Sequence, residues 1–154
     1  MSVGLLLICH NQIGHELLET ATDMLDRCPL SVLHLPVYQD DDPIELLNRA
    51  RRKVGDLDSG DGVLILTDMY GSTPSNIAHR LIDDKRVRVV SGVNLPMVVR
   101  VLNYPDLTLT EMAERVVHGG REGILEGNRA NSADRLAQLQ ATSRQGGTAA
   151  GDRP

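Results

Sequence analysis

Runs of apolar residues alternate along the chain with stretches in which apolar side chains recur every three or four positions. The runs predict buried strands, since a parallel sheet covered on both faces needs strands without polar alternation; they span residues 3–9, 30–37, 61–68 and 86–92. The periodic stretches predict amphipathic helices, which begin near Ile13, Pro43, Thr73, Asn94 and Thr108. This alternation is typical of an α/β fold, so we expect a single-domain, mainly parallel four-stranded sheet with helices on both faces.

The carboxyl-terminal part of the sequence carries two boundary signals. Thr108 and Glu111 form a Thr-x-x-Glu capping box that predicts the start of the last helix, and Gly119-Gly120 predicts its end. Beyond Asn128 the sequence is rich in Gly, Ala, Gln and Ser and lacks core residues. We therefore expect a folded domain over residues 1–128 and a flexible, low-complexity tail over residues 129–154.

Two residues with catalytic potential end strands that we expect to be neighbours. Sites in parallel sheets form at the carboxyl ends of the strands, near the point where the strand order reverses. The first predicted strand ends at His10 and the third at Asp68, while the fourth ends at Ser91-Gly92. In a flavodoxin-like strand order the first and third strands are adjacent, which brings His10 beside Asp68.

The segment "TDMYGSTPSN" (residues 67–76) joins the third strand to a helix and indicates an anion site. Helix amino termini offer unpaired N–H groups and a positive dipole end to phosphate, and Gly71, Ser72 and Thr73 lie at this one. A histidine held by Asp68 and facing this site is typical of a phosphoryl acceptor. The same residue types also occur in ordinary turns and caps, so spacing alone leaves both interpretations open.

Composition excludes several classes of function. The 154 residues fit one domain. A net charge of −5 and only three aromatic residues, all Tyr, argue against nucleic-acid binding. Two cysteines are too few for a disulfide framework. We expect neither a signal peptide nor a membrane-spanning segment, and we therefore expect a cytoplasmic protein.

The other histidines and the cysteines predict no metal site. Cys9, His10 and His15 are close in sequence, but successive strand residues point to opposite faces of the sheet. His34 falls within the second predicted strand. His79 and His118 fall on predicted helices, where a structural or solvent-exposed role is expected.

The chain resembles the enzyme IIA domain of the mannose family of the bacterial phosphoenolpyruvate-dependent sugar phosphotransferase system (PTS). The resemblance covers most of residues 3–125. It is carried by the strand ending in His10, by "TDMYGSTPSN", by "SGVNLPMV" (residues 91–98) and by "GREGI" (residues 120–124).

This resemblance implies roles for individual residues and for partners. His10 matches the histidine that accepts a phosphoryl group from the phosphocarrier protein HPr and passes it to a IIB-type partner. Asp68 matches the aspartate that orients this histidine, and Thr73 or Ser72 matches the hydroxyl near the phosphate. The resemblance also implies a homodimer, with "GREGILEG" (residues 120–127) at the interface, and no cofactor or metal.

Two departures from the family pattern keep alternatives open. The family often has Gly-Gly-Ser-Pro where this chain has "GSTP" (residues 71–74), so the hydroxyl that contacts phosphate is undecided. Sugar transporters often fuse IIA to a IIB domain, which these residues do not contain; a regulatory protein whose contacts depend on its phosphorylation state is therefore the alternative to a transport relay. The phosphocarrier subunit of dihydroxyacetone kinase is a related possibility, but its turn after the third strand differs from the one in this chain. A third, unrelated class of function is a flavodoxin-like module that binds a small anionic ligand without catalysing a reaction.

Overall fold

The computed structural model describes residues 1–129, 132–134, 136–138 and 140. Residues 1–123 form one compact unit, and a second unit begins at Ile124. Within the second unit, the Ser132 amide donates to the Asn128 carbonyl at 3.0 Å, as in a helical turn. The tail predicted for residues 129–154 lies largely outside the described residues, so its flexibility and its boundary stay predictions.

Four parallel strands form one sheet in the order β2-β1-β3-β4. The strands are β1 (Gly4–His10), β2 (Val32–Val37), β3 (Val63–Thr67) and β4 (Val87–Ser91). The helices of residues 1–123 are α1 (Ile13–Leu25), α2 (Pro43–Leu57), α3 (Thr73–His79), α4 (Leu95–Asn103) and α5 (Leu109–Glu122). The predicted fold class and the adjacency of the first and third strands are confirmed. Within the described residues, no helix has the length and apolar character needed to span a membrane.

The sheet separates two apolar cores, and β1 contributes to both. Leu5, Leu7 and Cys9 face the core that is covered by α1, α4 and α5. Leu6 and Ile8 face the opposite core, which is covered by α2 and α3. Because both faces of the central strands are covered, neither face tolerates polar residues, and this explains the unbroken apolar runs in the sequence.

Side chains cap the starts of three helices. The Thr108 hydroxyl accepts the Glu111 amide at 3.4 Å, and the Glu111 carboxylate accepts the Thr108 amide at 3.0 Å, so the predicted capping box is present. Asp42 accepts the Ile44 amide at 2.9 Å ahead of α2. Asn94 accepts a backbone N–H one turn into α4. These caps satisfy amides that have no partner within their helix.

The predicted end of the last helix at Gly119-Gly120 is wrong, because α5 continues to Glu122. Both glycines lie against α4. A Cβ on Gly120 would lie 2.7 Å from Met97 Cγ, and one on Gly119 would lie 3.1 Å from Arg100 Nε. These glycines therefore permit the close approach of two helices rather than ending one, and only the tertiary packing distinguishes the two uses.

Candidate functional site

His10 and Asp68 meet at the carboxyl edge of the sheet, where β1 and β3 end side by side. His10 Nδ1 lies 2.7 Å from Asp68 Oδ2. The same carboxylate oxygen accepts the backbone N–H of His10 at 2.9 Å, and the other oxygen accepts that of Met69 at 3.0 Å. Two backbone donors thus hold the carboxylate against the imidazole.

This geometry determines which nitrogen of His10 faces a reactant. A carboxylate only accepts hydrogen bonds, so Nδ1 carries the proton and Nε2 presents its lone pair. The His10 side chain is 40% exposed while that of Asp68 is 11% exposed. The ring is therefore held from behind and open to an incoming molecule.

The residue after His10 turns the chain away from the sheet. Asn11 has a left-handed φ of 48°, and its amide donates to the Val37 carbonyl of β2 at 3.0 Å. Asn is one of the few residues that adopt this conformation at low cost. Because the turn follows directly, His10 is the last residue of β1 and stands at the rim of the sheet.

The turn between β3 and α3 contains the three residues predicted to bind phosphate. Gly71 has a φ of 82°, a conformation that favours glycine. The Ser72 hydroxyl donates to the Met69 carbonyl at 2.6 Å, so its proton is used within the turn. Thr73, the first residue of α3, is exposed. Of the two hydroxyls that the sequence left open, Thr73 is the one on the outside of the turn.

A chain of hydroxyl groups, buried at Thr67 and Ser75 and partly buried at Ser91, supports this edge and was not found from the sequence. Thr67 donates to Ser91 Oγ at 3.0 Å, and Ser91 Oγ lies 3.5 Å from Ser75 Oγ. His79 Nδ1 lies 2.7 Å from the Ser75 carbonyl, to which it donates. Thr67 and Ser75 are at most 1% exposed. Polar residues inside apolar segments were the only signal, and their pairing across β3, β4 and α3 required the fold.

The other histidines make their own contacts, whereas the buried Cys9 thiol lies near Asp68, whose charge also acts on it. The ring centroids of His15 and His34 are 4.9 Å apart. Burial lowers the pKa of His34, with smaller effects from the charges of His15 and Lys53. Burial also raises the pKa of the Cys9 thiol to about 12, so this thiol stays protonated. Among the described residues, no group of three or more His, Cys, Asp or Glu side chains is arranged to hold a metal ion.

Comparisons with known proteins point to one family. The family model described as "EIIA-man: PTS system fructose IIA component" matches residues 4–117. The chain is 30% identical over 127 residues to the PTS system mannose-specific EIIAB component of Escherichia coli (strain K12), an alignment that covers 80% of this chain and 39% of that protein. The chain thus spans less than half the length of this relative.

Two solved structures have a similar fold. The mannose/sorbose-specific IIA subunit from Enterococcus faecalis has a TM-score of 0.74 at 21% identity, covering 83% of this chain and 96% of that one. The PTS IIA protein associated with the fucose utilization operon from Streptococcus pneumoniae has a TM-score of 0.71 at 25% identity, covering 82% and 96%.

Proposed function

Since the chain belongs to the mannose-type IIA (EIIA-man) family of the sugar phosphotransferase system, we propose that it is a phosphohistidine relay protein. In this proposal His10 accepts a phosphoryl group from an HPr-type phosphocarrier in the cytoplasm and passes it to a IIB-type protein or domain. The observation that carries the proposal is the 2.7 Å contact of Asp68 Oδ2 with His10 Nδ1, on a ring that remains 40% exposed.

The contact supports a separate role for each ring nitrogen in the proposed transfer. His10 Nε2 attacks the phosphorus of the carrier's phosphohistidine with its lone pair. The N–P bond of the carrier breaks as the new N–P bond forms, and the carrier's imidazole leaves with the electron pair. The Nδ1 proton stays on His10, where Asp68 stabilises the positive charge that develops on the ring. The reverse sequence delivers the group to the next acceptor.

The turn after β3 supplies donors for the transferred group. Phosphoryl transfer depends on positioning and charge stabilisation more than on acid–base steps. We propose that Gly71 allows close approach of the backbone, and that amides at the start of α3 and the Thr73 hydroxyl bind the phosphoryl oxygens. Thr73 is favoured over Ser72 because the Ser72 proton is already donated to Met69.

A homodimer formed through the segment at residues 120–127 is part of the proposal. Residues 120–122 lie within α5, so only the part beyond the helix is available for strand addition. The β4 strand ends the sheet, and on its outer side Val87 forms an antiparallel bridge with Asp83 while no further strand of the described sheet pairs with it. A groove of about 520 Å³ lies between β4 and α5 beside this edge, and both apolar side chains such as Val90 and Val117 and charged ones such as Arg88 and Glu114 line it. Addition to a free edge reuses ordinary backbone hydrogen bonds.

Phosphate labelling tests the relay. The protein is incubated with phosphoenolpyruvate, enzyme I and HPr, and one acid-labile, alkali-stable phosphate per chain is expected. His10→Ala should abolish the label, whereas the control His118→Ala, which alters an exposed helical histidine, should retain it. Label that persists in His10→Ala, or that never forms in the wild type, contradicts the proposal.

A chase with a purified IIB-type protein then separates transport from regulation. Transfer of the label to that protein is the outcome expected of a relay. Label that stays on His10 in the presence of active IIB proteins favours the regulatory alternative, in which the phosphorylation state controls a binding partner.

A further inference from the structure

The face of the sheet beneath α3 is apolar until it reaches the carboxyl edge, where it becomes polar. Along β3, Val63 and Ile65 fill this face. Among the described residues, Thr67 and Ser75 are the two buried ones with a polar side chain. A valine would suit the shape and the strand position of Thr67, and a buried hydroxyl costs free energy unless it is hydrogen-bonded. The polar pair therefore needs an explanation beyond packing.

Both buried hydroxyls share one partner, Ser91 at the end of β4. Thr67 lies opposite Ser91 in the register of β3 and β4, and its hydroxyl donates to Ser91 Oγ at 3.0 Å. Ser75, in the first turn of α3, places its Oγ 3.5 Å from the same oxygen. A serine hydroxyl has two lone pairs and one proton, so it can bond to both neighbours at once.

The two hydroxyls flank the turn that bears the site. This segment, the β3–α3 turn, spans residues 68–74 and lies between Thr67 and Ser75 in the sequence. It begins with Asp68, which contacts the His10 ring, and it includes Thr73. Both ends of the turn are thus bonded to a single side chain on the neighbouring strand.

The middle of the β3–α3 turn is tied to the same place. The Tyr70 ring meets the His79 ring edge to face, with centroids 5.6 Å apart and an interplanar angle of 79°, a favourable aromatic geometry. His79 Nδ1 donates to the Ser75 carbonyl at 2.7 Å and lies 3.3 Å from Ser75 Oγ. A turn tethered at its start, middle and end has little freedom to shift against the sheet.

The hydroxyl groups lie one layer beneath the reactive ring. Ile8 of β1 pairs with Thr67, and His10 follows Ile8 by two residues, which places both side chains on the same face of the strand. Strand β3 separates β4 from β1, so Ser91 is one strand removed from His10. Any effect of Ser91 on the site must therefore pass through the β3–α3 turn.

We propose that Ser91 is a positioning residue for phosphoryl transfer, an inference that rests on the proposed function. Its hydroxyl fixes both ends of the β3–α3 turn and thereby holds Asp68 and the Thr73 hydroxyl in place around His10. Phosphoryl transfer depends on positioned donors more than on acid–base steps, and such donors must be held to within about 0.5 Å. Loss of the hydroxyl therefore lowers the rate of transfer and leaves the affinity for the carrier unchanged.

Three single variants of the full chain test this role. Ser91→Ala removes the shared hydroxyl, whereas Ser91→Thr keeps it and adds a methyl group that suits a strand. The control Ser59→Ala removes an exposed hydroxyl that donates to the Ser2 carbonyl at 3.3 Å, in the loop before β3. Single-turnover transfer from phosphorylated HPr to His10 gives the maximal rate and the half-saturating HPr concentration. Urea unfolding sets a temperature at which every variant is folded.

Ser91→Ala should lower the maximal rate about tenfold, as expected for misplaced groups, with an unchanged half-saturating concentration. Labelling by phosphoramidate, a small donor that needs no docking, should slow by the same factor because the defect lies within the site. Ser91→Thr and Ser59→Ala should keep the wild-type values. A wild-type maximal rate in Ser91→Ala, even with lower stability, or an equal loss in Ser91→Thr overturns the inference. A change confined to the half-saturating concentration overturns it too.

A double variant tests whether the hydroxyls act as one unit. Thr67→Val is nearly isosteric and removes the donor to Ser91. If Thr67 acts through Ser91, Thr67→Val/Ser91→Ala should be no slower than Ser91→Ala alone. Fully additive losses would overturn the shared role. Failure of HPr to label the wild type contradicts the proposed function instead, so the two failures are distinguishable.

Discussion

Asp68 Oδ2 accepts both the backbone N–H and the ring Nδ1–H of His10, at 2.9 and 2.7 Å. The two residues are 58 positions apart in the sequence. One carboxylate oxygen therefore sets the position of the strand end and the orientation of its imidazole together. A substitution of Asp68 therefore changes the reactivity of the His10 imidazole and also removes a hydrogen bond to the backbone at the end of β1. Variants must separate the kinetic effect from the structural one.

Asp68→Asn should slow phosphorylation of His10 by roughly a hundredfold or more, while the fold is retained. The amide has nearly the same shape, but it lacks the charge that stabilises the developing imidazolium and no longer enforces a proton on Nδ1. Rapid-quench measurement of transfer from phosphorylated HPr checks this. Asp106→Asn, at a distant exposed position, should keep the wild-type rate. An unchanged rate for Asp68→Asn would remove its assigned role.

The two hydroxyls beside Gly71 should have separable effects. Thr73→Val should reduce the rate of phosphoryl acceptance about tenfold, because it removes a hydrogen bond to a charged group. Ser72→Ala should instead lower the free energy of unfolding by about 1 kcal/mol, because its hydroxyl donates within the turn at 2.6 Å. Transfer kinetics and chemical denaturation of both variants distinguish the roles. The reverse assignment would be supported if Ser72→Ala showed the larger kinetic defect.

Gly120→Ala should destabilise the protein by about 1–3 kcal/mol, because the new methyl group overlaps Met97 where α5 packs on α4. Gly55→Ala is the matched control, since a Cβ there meets nothing within 4 Å. This control should stabilise α2 by about 0.5–1 kcal/mol through the helix propensity of alanine. Urea unfolding of both variants measures the difference. Equal stabilities would show that the helices separate without cost.

Stability should fall as the pH drops below about 6.5, the ordinary pKa of His34. Burial lowers the pKa of His34 in the folded chain, so the unfolded state binds the proton first. The stabilisation that comes from neutral His34 is fully present above the pKa that this residue has in the unfolded chain. It is lost as the pH falls through the lower pKa that His34 has in the folded chain. His34→Gln should flatten this part of the unfolding free energy curve. A wild-type slope in His34→Gln would refute the assignment.

Local sequence patterns sufficed for the elements and for the ends of the strands that bear the site. Unbroken apolar runs indicated strands covered on both faces, and the capping box at Thr108 placed the start of α5. His10 and Asp68 were recognisable because polar residues that end apolar runs stand at the edge of a sheet. The family resemblance, rather than spacing, raised the phosphoryl interpretation above that of an ordinary turn.

Tertiary structure alone decided how distant residues combine. The order β2-β1-β3-β4 confirms the expected adjacency of β1 and β3, and it joins Thr67, Ser91 and Ser75 into one chain of hydroxyls that the sequence did not indicate. It also showed that Gly120 serves the packing of α5 on α4. Hydrophobic periodicity and caps act over a few residues and can be read locally. Pairing, close approach and exposure depend on which elements become neighbours, and that is settled only when the whole core packs.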